Sequence, residues 1–270
     1  MTEAGDTGPA AGSAQYYALL REPAAVRAAI AALLALHEYI ARIPATCSDA
    51  SVARIKLAWW REECDRLAAG EPRHPAAKSY AAAMRSHALP ATLPGALVNA
   101  VDAGLGLPVP AGREVLREAW RRETGLAWRA WAACRGAGAD GQAWAEAVGT
   151  IAGHCESLRE LRMDLAAGRM RLPAEDFAAA GTTLADLVSR PGGEAARRLV
   201  AMQLDRIGSG LRQALAAVPA ADRGRLAGQR ALAAILRATI EEVARDGGAV
   251  LQRRIDLTPL RMLWIAWRTR

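Results

Sequence analysis

A chain of 270 residues in which 52% are hydrophobic is long enough to bury a substantial core, and its abundant alanine and leucine favour helices. The net charge of +7 comes almost entirely from arginine, because Lys56 and Lys78 are the only lysines. This charge suits phosphate or anionic lipid as a partner. Nucleic acid is not expected, since no zinc-finger spacing occurs and no basic block alternates with aromatic residues.

The start of the chain and its cysteines bear on domain boundaries and compartment. Residues 1–14 are rich in glycine, alanine and threonine and are interpreted as a disordered lead-in, so one domain is expected at residues 15–270. The longest apolar stretch, residues 28–36, is far shorter than the roughly 20 residues that span a bilayer. Four scattered cysteines without a CxxC pair indicate a reducing compartment. We therefore predict a cytoplasmic protein, with membrane contact only at the inner face of the bilayer.

Apolar residues recur at helical spacing along the chain, and no stretch alternates with the period of a strand. Glycines and prolines separate the periodic stretches. Helices are predicted at residues 24–42, 50–69, 76–86, 93–103, 112–134, 141–167, 174–188, 194–217, 221–246 and 258–268. Long helices joined by short links, without a break in composition, predict a single all-α bundle.

Residues 158–173 carry the most distinctive charge pattern. Glu160 and Asp164 are four residues apart, so a helix places both carboxylates on one side. The arginines around them are Arg159, Arg162, Arg169 and Arg171. Carboxylates can hold a hard cation and arginines can hold phosphate, which together suit a diphosphate–magnesium substrate. The alternative is a solvated helix end with ordinary charge pairs, followed by a terminating Gly168.

This stretch resembles, without a gap, the second aspartate-rich motif of the squalene/phytoene synthase family of head-to-head prenyl transferases, N-x-L-R-D-x-x-x-D-x-x-x-G-R-x-Y-L-P. The shared residues are Arg159, Asp164, Gly168, Arg169, Leu172 and Pro173, and Glu160 falls on the first Asp of the motif. Further stretches resemble the family in the same order, at residues 27–33, 59–63, 74–75, 235–236 and 253–255. The resemblance covers about residues 15–270 and implies an isoprenoid-synthase-like helical bundle.

In active members of that family, two aspartate-rich motifs on facing helices bind Mg²⁺ ions that hold the substrate diphosphates. The resemblance therefore implies a prenyl diphosphate or other lipid-like ligand, and Mg²⁺ as the cofactor if the protein is active. It implies Glu160 and Asp164 as metal ligands. The implied diphosphate-binding residues are Arg159, Arg169, Arg171 and Arg42.

The chain departs from the family at both motifs. The first motif, D-D-x-x-D, should fall at residues 41–45, where no carboxylate occurs and Arg42 would repel a cation. In the second motif Glu160 lengthens one acidic arm by a methylene, and Arg171 replaces a tyrosine. Glu38 is similar instead to a divergent branch, with degraded aspartate motifs, that includes an assembly factor of respiratory complex I.

Three functions remain open from the sequence. The favoured one is a divergent family member that lacks standard head-to-head condensation and acts as a lipid- or protein-binding factor. The second is an active Mg²⁺-dependent prenyl-diphosphate transferase with a single metal cluster, in which Arg42 contacts phosphate directly. The third is a structural interaction protein that binds no phosphate.

Three further features have two interpretations each. Residues 259–270 form a short, basic, amphipathic stretch with two tryptophans, which predicts either contact with a membrane surface or docking on the bundle. His37, on the apolar side of its helix, is expected to be a hydrogen-bonded interior residue rather than a metal ligand. His154 could join a metal site with Glu160, but it is expected to face away because it lies six residues before that position.

Overall fold

The computed structural model describes residues 8–47, 49–105, 109–110, 112–166, 170–246, 249–251 and 255–269. Within these residues the chain forms helices and irregular links and no strand, as predicted. The α-helices are α1 (Ala14–Leu19), α2 (Ala24–Ala41), α3 (Ala50–Ala68), α4 (Pro75–Ser86), α5 (Leu93–Ala103), α6 (Arg113–Trp120), α7 (Leu126–Cys134), α8 (Ala139–Arg159), α9 (Leu161–Ala166), α10 (Ala174–Ala180), α11 (Leu184–Ser189), α12 (Glu194–Ala216), α13 (Ala227–Arg245) and α14 (Pro259–Arg268). They are joined by 3₁₀ turns at Pro44–Thr46, Ala220–Asp222 and Ala249–Leu251 and by a π-helical segment at Arg121–Gly125.

Most predicted helices end within two residues of the expected positions, because local chemistry marks the ends. Asp49 begins α3 by accepting hydrogen bonds from the backbone N–H groups of Ser51 and Val52, at 2.8 and 3.1 Å. A proline in the first turn begins α4, α5 and α14, where its missing N–H has no intrahelical partner to lose.

The helix predictions were wrong in detail at several places. The predicted helix 174–188 is divided, because Gly181 adopts the left-handed conformation (φ +66°) and a capping box of Thr183 and Asp186 starts α11. The predicted helix 221–246 begins later, at α13, after a 3₁₀ turn. α1 was not predicted; it starts after Ser13, whose hydroxyl accepts a hydrogen bond from the backbone N–H of Tyr16.

α6, the π-helical segment and α7 form one continuous rod that lies against α8. The contact depends on glycine, because a Cβ atom on Gly149 of α8 would lie 2.6 Å from the Trp128 ring. A Cβ on Gly125 would likewise lie 2.8 Å from the Thr150 hydroxyl. These two glycines therefore allow the rod and α8 to approach more closely than larger residues would.

The main core lies between these helices and α2, which packs against α4, α5 and α7. By length and composition α2 could cross a bilayer, but much of it is buried inside the bundle, as in the core helix of a globular protein. Trp128, Trp131 and Trp144 are buried in this core. Of the adjacent pair on α3, Trp60 is buried and Trp59 is exposed, because neighbouring positions on a helix point in different directions.

Candidate functional site

The two acids of the second motif lie where α8 gives way to α9, rather than in one unbroken helix as predicted. α8 ends at Arg159, and Glu160 is its C-cap with φ −92° and ψ 1°. Helical spacing nevertheless continues, because the backbone N–H of Asp164 donates to the Glu160 carbonyl at 2.9 Å. Asp164 is buried and Glu160 is half-buried. These two residues, hereafter the acidic pair, therefore keep their i,i+4 relation across the break.

Arg159 is buried beside the acidic pair and is bound by other carboxylates. One of its guanidinium nitrogens lies 2.5 Å from Glu156 Oε1, and another contacts Asp256. Removing either acidic partner would leave this buried charge less well compensated, which costs free energy. A phosphate that binds the terminal nitrogens of Arg159 would therefore have to displace one of these carboxylates.

Arg171 brings positive charge to the acidic pair. Its guanidinium contacts the carboxylate of Glu123, which lies on the π-helical segment. Burial opposes the charged form, but Glu123, Asp164 and Glu160 together raise the pKa of Arg171 above its usual value. The residue that replaces the motif tyrosine is thus a cation that contacts Glu123 and is stabilised electrostatically by the acidic pair.

Glu123 is a site residue that sequence reasoning missed, because it matches no motif spacing. Its backbone carbonyl accepts a hydrogen bond of 2.8 Å from Nε2 of His37 on α2. Burial lowers the pKa of His37, so the ring is neutral near pH 7. The expectation of a hydrogen-bonded histidine is confirmed, and His37 and Arg171 are both linked to the site through Glu123.

Arg42 lies at a different place, on the surface at the end of α2. The helix ends at Ala41, within the window where the first motif is expected, and Arg42 is its C-cap. Its exposed guanidinium lies 3.2 Å from Glu38 Oε1 on the same helix. Arg169 and Gly168, predicted from the motif, lie outside the described residues.

These residues do not fit the paired magnesium site that the resemblance implies. Such a site needs carboxylates from two facing helices, and residues 41–45 supply none. In the part of the chain that the structure describes, no three acidic, histidine or cysteine side chains are arranged to hold a metal ion. Arg171 already brings a positive charge to the acidic pair, which weakens attraction for a further cation. Binding of a single Mg²⁺ ion by Glu160 and Asp164 remains a prediction.

A separate cavity of about 610 Å³ opens between α6, α8 and α12. Its apolar lining includes Trp120, Ile151 and Ile207, and its rim carries arginines. The rim arginines are Arg113, Arg117, Arg121, Arg129 and Arg206. None of the residues predicted for the diphosphate or metal site lines this cavity. The sequence gives no indication of it, because it is assembled from three helices that are distant along the chain.

A buried polar network lies beside that cavity. His154 stacks on Trp120, with ring centroids 4.2 Å apart, and its Nε2 atom is 3.0 Å from Oε1 of Gln203. The amide nitrogen of Gln203 donates to Asp176 at 2.8 Å, so its oxygen is the acceptor toward histidine. His154 therefore carries its proton on Nε2. It faces this network rather than the acidic pair, as expected from its spacing to Glu160.

Comparison with known proteins agrees with this architecture. A sequence profile described as squalene/phytoene synthase matches residues 9–261. The fold is similar to that of squalene synthase HpnC from Alicyclobacillus acidocaldarius, with a TM-score of 0.70 and 21% identity over 86% of this chain and 88% of that one. A dehydrosqualene synthase solved in complex with ligand gives a TM-score of 0.77 and 13% identity over 95% and 90% of the two chains. YisP from Bacillus subtilis subsp. subtilis strain 168 gives a TM-score of 0.65 and 17% identity over 94% of this chain and 89% of that one. No curated protein sequence matches the chain.

Proposed function

Since the chain belongs to the squalene/phytoene synthase family, we propose that it is a divergent member that binds a lipid-like ligand without joining two prenyl chains head to head. The observation that carries this proposal is the position of Arg171, which contacts Glu123 and whose pKa is raised by the negative charge of the acidic pair. A guanidinium there supplies part of the positive charge that metal ions supply in a diphosphate site.

The ligand that we propose carries a diphosphate or similar anionic head. Arg171 would bind it by exchanging the Glu123 carboxylate for phosphate, since the planar guanidinium suits both. Arg169 would add a second contact, as the motif predicts. To bind through its terminal nitrogens, Arg159 would have to leave Glu156 or Asp256. Arg42 would have to leave Glu38.

Incubation with farnesyl or geranylgeranyl diphosphate and Mg²⁺ tests this proposal. We expect no release of pyrophosphate above background. We also expect saturating diphosphate to raise the melting temperature by about 5 °C in the wild type and by less in Arg171→Ala. Arg190→Ala, which removes an exposed arginine on α11's C-cap, is the matched control and should behave like the wild type. Absence of stabilisation in the wild type would contradict a diphosphate ligand and favour a protein-binding role.

The alternative is an active prenyl-diphosphate transferase that uses one metal cluster. It is favoured by the acidic pair, which keeps its i,i+4 relation although the helix breaks at Glu160. Pyrophosphate release that requires Mg²⁺ and is lost in Asp164→Ala would establish this alternative and overturn our proposal. The same variant without any effect on turnover would exclude it.

A lipid-like ligand is in keeping with a cytoplasmic protein that works at the inner face of a membrane, as the sequence predicts. Cell fractionation tests this location. We expect the protein to divide between the cytosol and a membrane fraction from which high salt releases it.

A further inference from the structure

The C-terminal helix α14 has one side docked on the bundle. Met262 and Ala266 are buried in a small apolar cluster shared with α13. Arg261 reinforces this side, since its Nη1 atom lies 2.6 Å from Glu242 Oε2 on α13. Docking, one of the two interpretations of this stretch, therefore accounts for the side of the helix that carries Met262 and Ala266.

The other side of α14 is apolar and exposed. Leu260, Leu263, Trp264 and Trp267 follow the spacing i, i+3, i+4, i+7 and so share one face of the helix. Their exposed fractions are 79, 41, 54 and 64%. The exposed side of a surface helix is normally polar, and a contiguous apolar face of this kind marks an interaction site. No aspartate or glutamate occurs at residues 257–270, so this face has no acidic groups of its own.

Arginines gather at the C-terminal end of the same helix. The side chain of Arg21 donates to the carbonyl of Thr269 at 3.3 Å. Arg230 donates to the Arg223 carbonyl, and burial together with the charges of Arg223 and Arg21 lowers the pKa of Arg230. Arg230 is thus close enough to Arg223 and Arg21 to be repelled by both, and an anionic surface would relieve that repulsion.

We propose that the exposed face of α14 docks on an anionic lipid surface. Trp264 and Trp267 lie at the head-group level, which is the environment that tryptophan favours. Arg268, whose guanidinium is 4.6 Å from the centroid of the Trp264 ring, and the arginine cluster face anionic head groups. A second copy of the chain is a poorer occupant, because it would present the same basic residues and no acidic residue of α14 to pair with them. This inference does not depend on the diphosphate ligand.

Flotation of the full-length protein with vesicles tests the proposal. We expect binding to vesicles of phosphatidylcholine and phosphatidylglycerol, and binding weaker by at least about tenfold to phosphatidylcholine alone. Trp264→Ser combined with Trp267→Ser should lower partitioning to anionic vesicles by at least about tenfold, since both apolar anchors are removed. Trp59→Ser is the matched control, because Trp59 is also 41% exposed but lies on α3. It should bind like the wild type.

Three results would overturn the proposal. The first is a wild-type protein that does not bind anionic vesicles, and the second is equal binding by the double variant. The third is a wild-type dimer, measured by light scattering, that the double variant abolishes, because the face would then belong to a second copy of the chain. Both substitutions are at exposed positions, so an unchanged melting temperature separates lost binding from lost folding.

Discussion

Gly149 is the residue on which the contact between α7 and α8 most directly depends. A Cβ atom there would lie 2.6 and 2.7 Å from atoms of Trp128 and 3.0 Å from the Cα of Gly125. Overpacking of a well-filled interior costs typically about 1–3 kcal/mol. We expect Gly149→Ala to lower the free energy of unfolding, measured by urea denaturation, by about 2 kcal/mol. Gly95→Ala on α5, where an added Cβ meets no atom within 4 Å, is the control and should be neutral or stabilising.

His154 makes the stability of the protein dependent on pH. Burial lowers its pKa to about 4, with Gln203 and Asp176 acting against the shift and Arg206 acting with it. An unfolded histidine has a pKa of about 6.5, so the unfolded chain binds a proton that the folded one excludes. Above about pH 6.5 the histidine is neutral in both states and does not lower the free energy of unfolding. As the pH falls from about 6.5 toward 4, protonation of the unfolded chain lowers that free energy progressively.

Urea denaturation at pH 7 and pH 5 checks this dependence. The wild type should lose about 2 kcal/mol of stability between these values through His154. His154→Gln keeps a hydrogen-bonding group without a titrating one, and it should lose correspondingly less over the same range. An identical loss in the two proteins would show that other groups cause the acid sensitivity.

Asp176 connects three helices, so its role is best described at the level of elements. This buried residue of α10 lies 2.6 Å from a guanidinium nitrogen of Arg113 on α6 and 2.8 Å from one of Arg206 on α12. These partners hold the pKa of Asp176 at about 2, against the effect of its burial. The ion pairs of Asp176 with Arg113 and Arg206 therefore persist down to about pH 4, and they position two arginines at the rim of the cavity between α6, α8 and α12.

Removal of the Asp176 carboxylate should lower the stability of the protein. Asp176→Asn removes the buried carboxylate that Arg113 and Arg206 share, although Arg113 keeps Glu175 at 3.4 Å. We expect a loss of about 2 kcal/mol in urea, a value reduced because both arginines are partly exposed. Glu194→Gln on α12 breaks an exposed pair with Arg198 and is the matched control, for which we expect no measurable change. Equal effects of the two substitutions would show that burial of Asp176 does not matter.

At the scale of the whole molecule, the sequence predicts the all-α fold and the order of its main helices. It does so because helical periodicity and capping residues such as Asp49 act locally. The break at Glu160 was not predictable in this way, since residues 156–166 have continuous helical propensity. The late start of α13 had only a weak local signal, Gly224, which a helix can also tolerate. Tertiary packing, rather than propensity, decides where such a helix ends.

The candidate site was predictable only in part. The motif spacing identifies Glu160, Asp164 and Arg171, but their roles remain predictions. It cannot identify Glu123, which meets Arg171 across 48 positions of sequence only after the π-helical segment has packed against α8. It also does not show that Arg159 is bound by Asp256, since that contact joins positions 97 apart. Long-range ion pairs of this kind follow from the fold and leave no local pattern.

The guanidinium of Arg171 has one property that a metal ion in the same place would lack, which is a covalent link to the chain. It is therefore present in the site whatever the solution contains, and a chelator cannot remove it. It also keeps its charge at any physiological pH. Calorimetric titration with farnesyl diphosphate should therefore give the same affinity in EDTA as in millimolar Mg²⁺, to within about twofold. A large gain in affinity on adding Mg²⁺ would contradict this expectation. It would show that the diphosphate binds together with Mg²⁺, so that binding depends on the magnesium concentration of the cell.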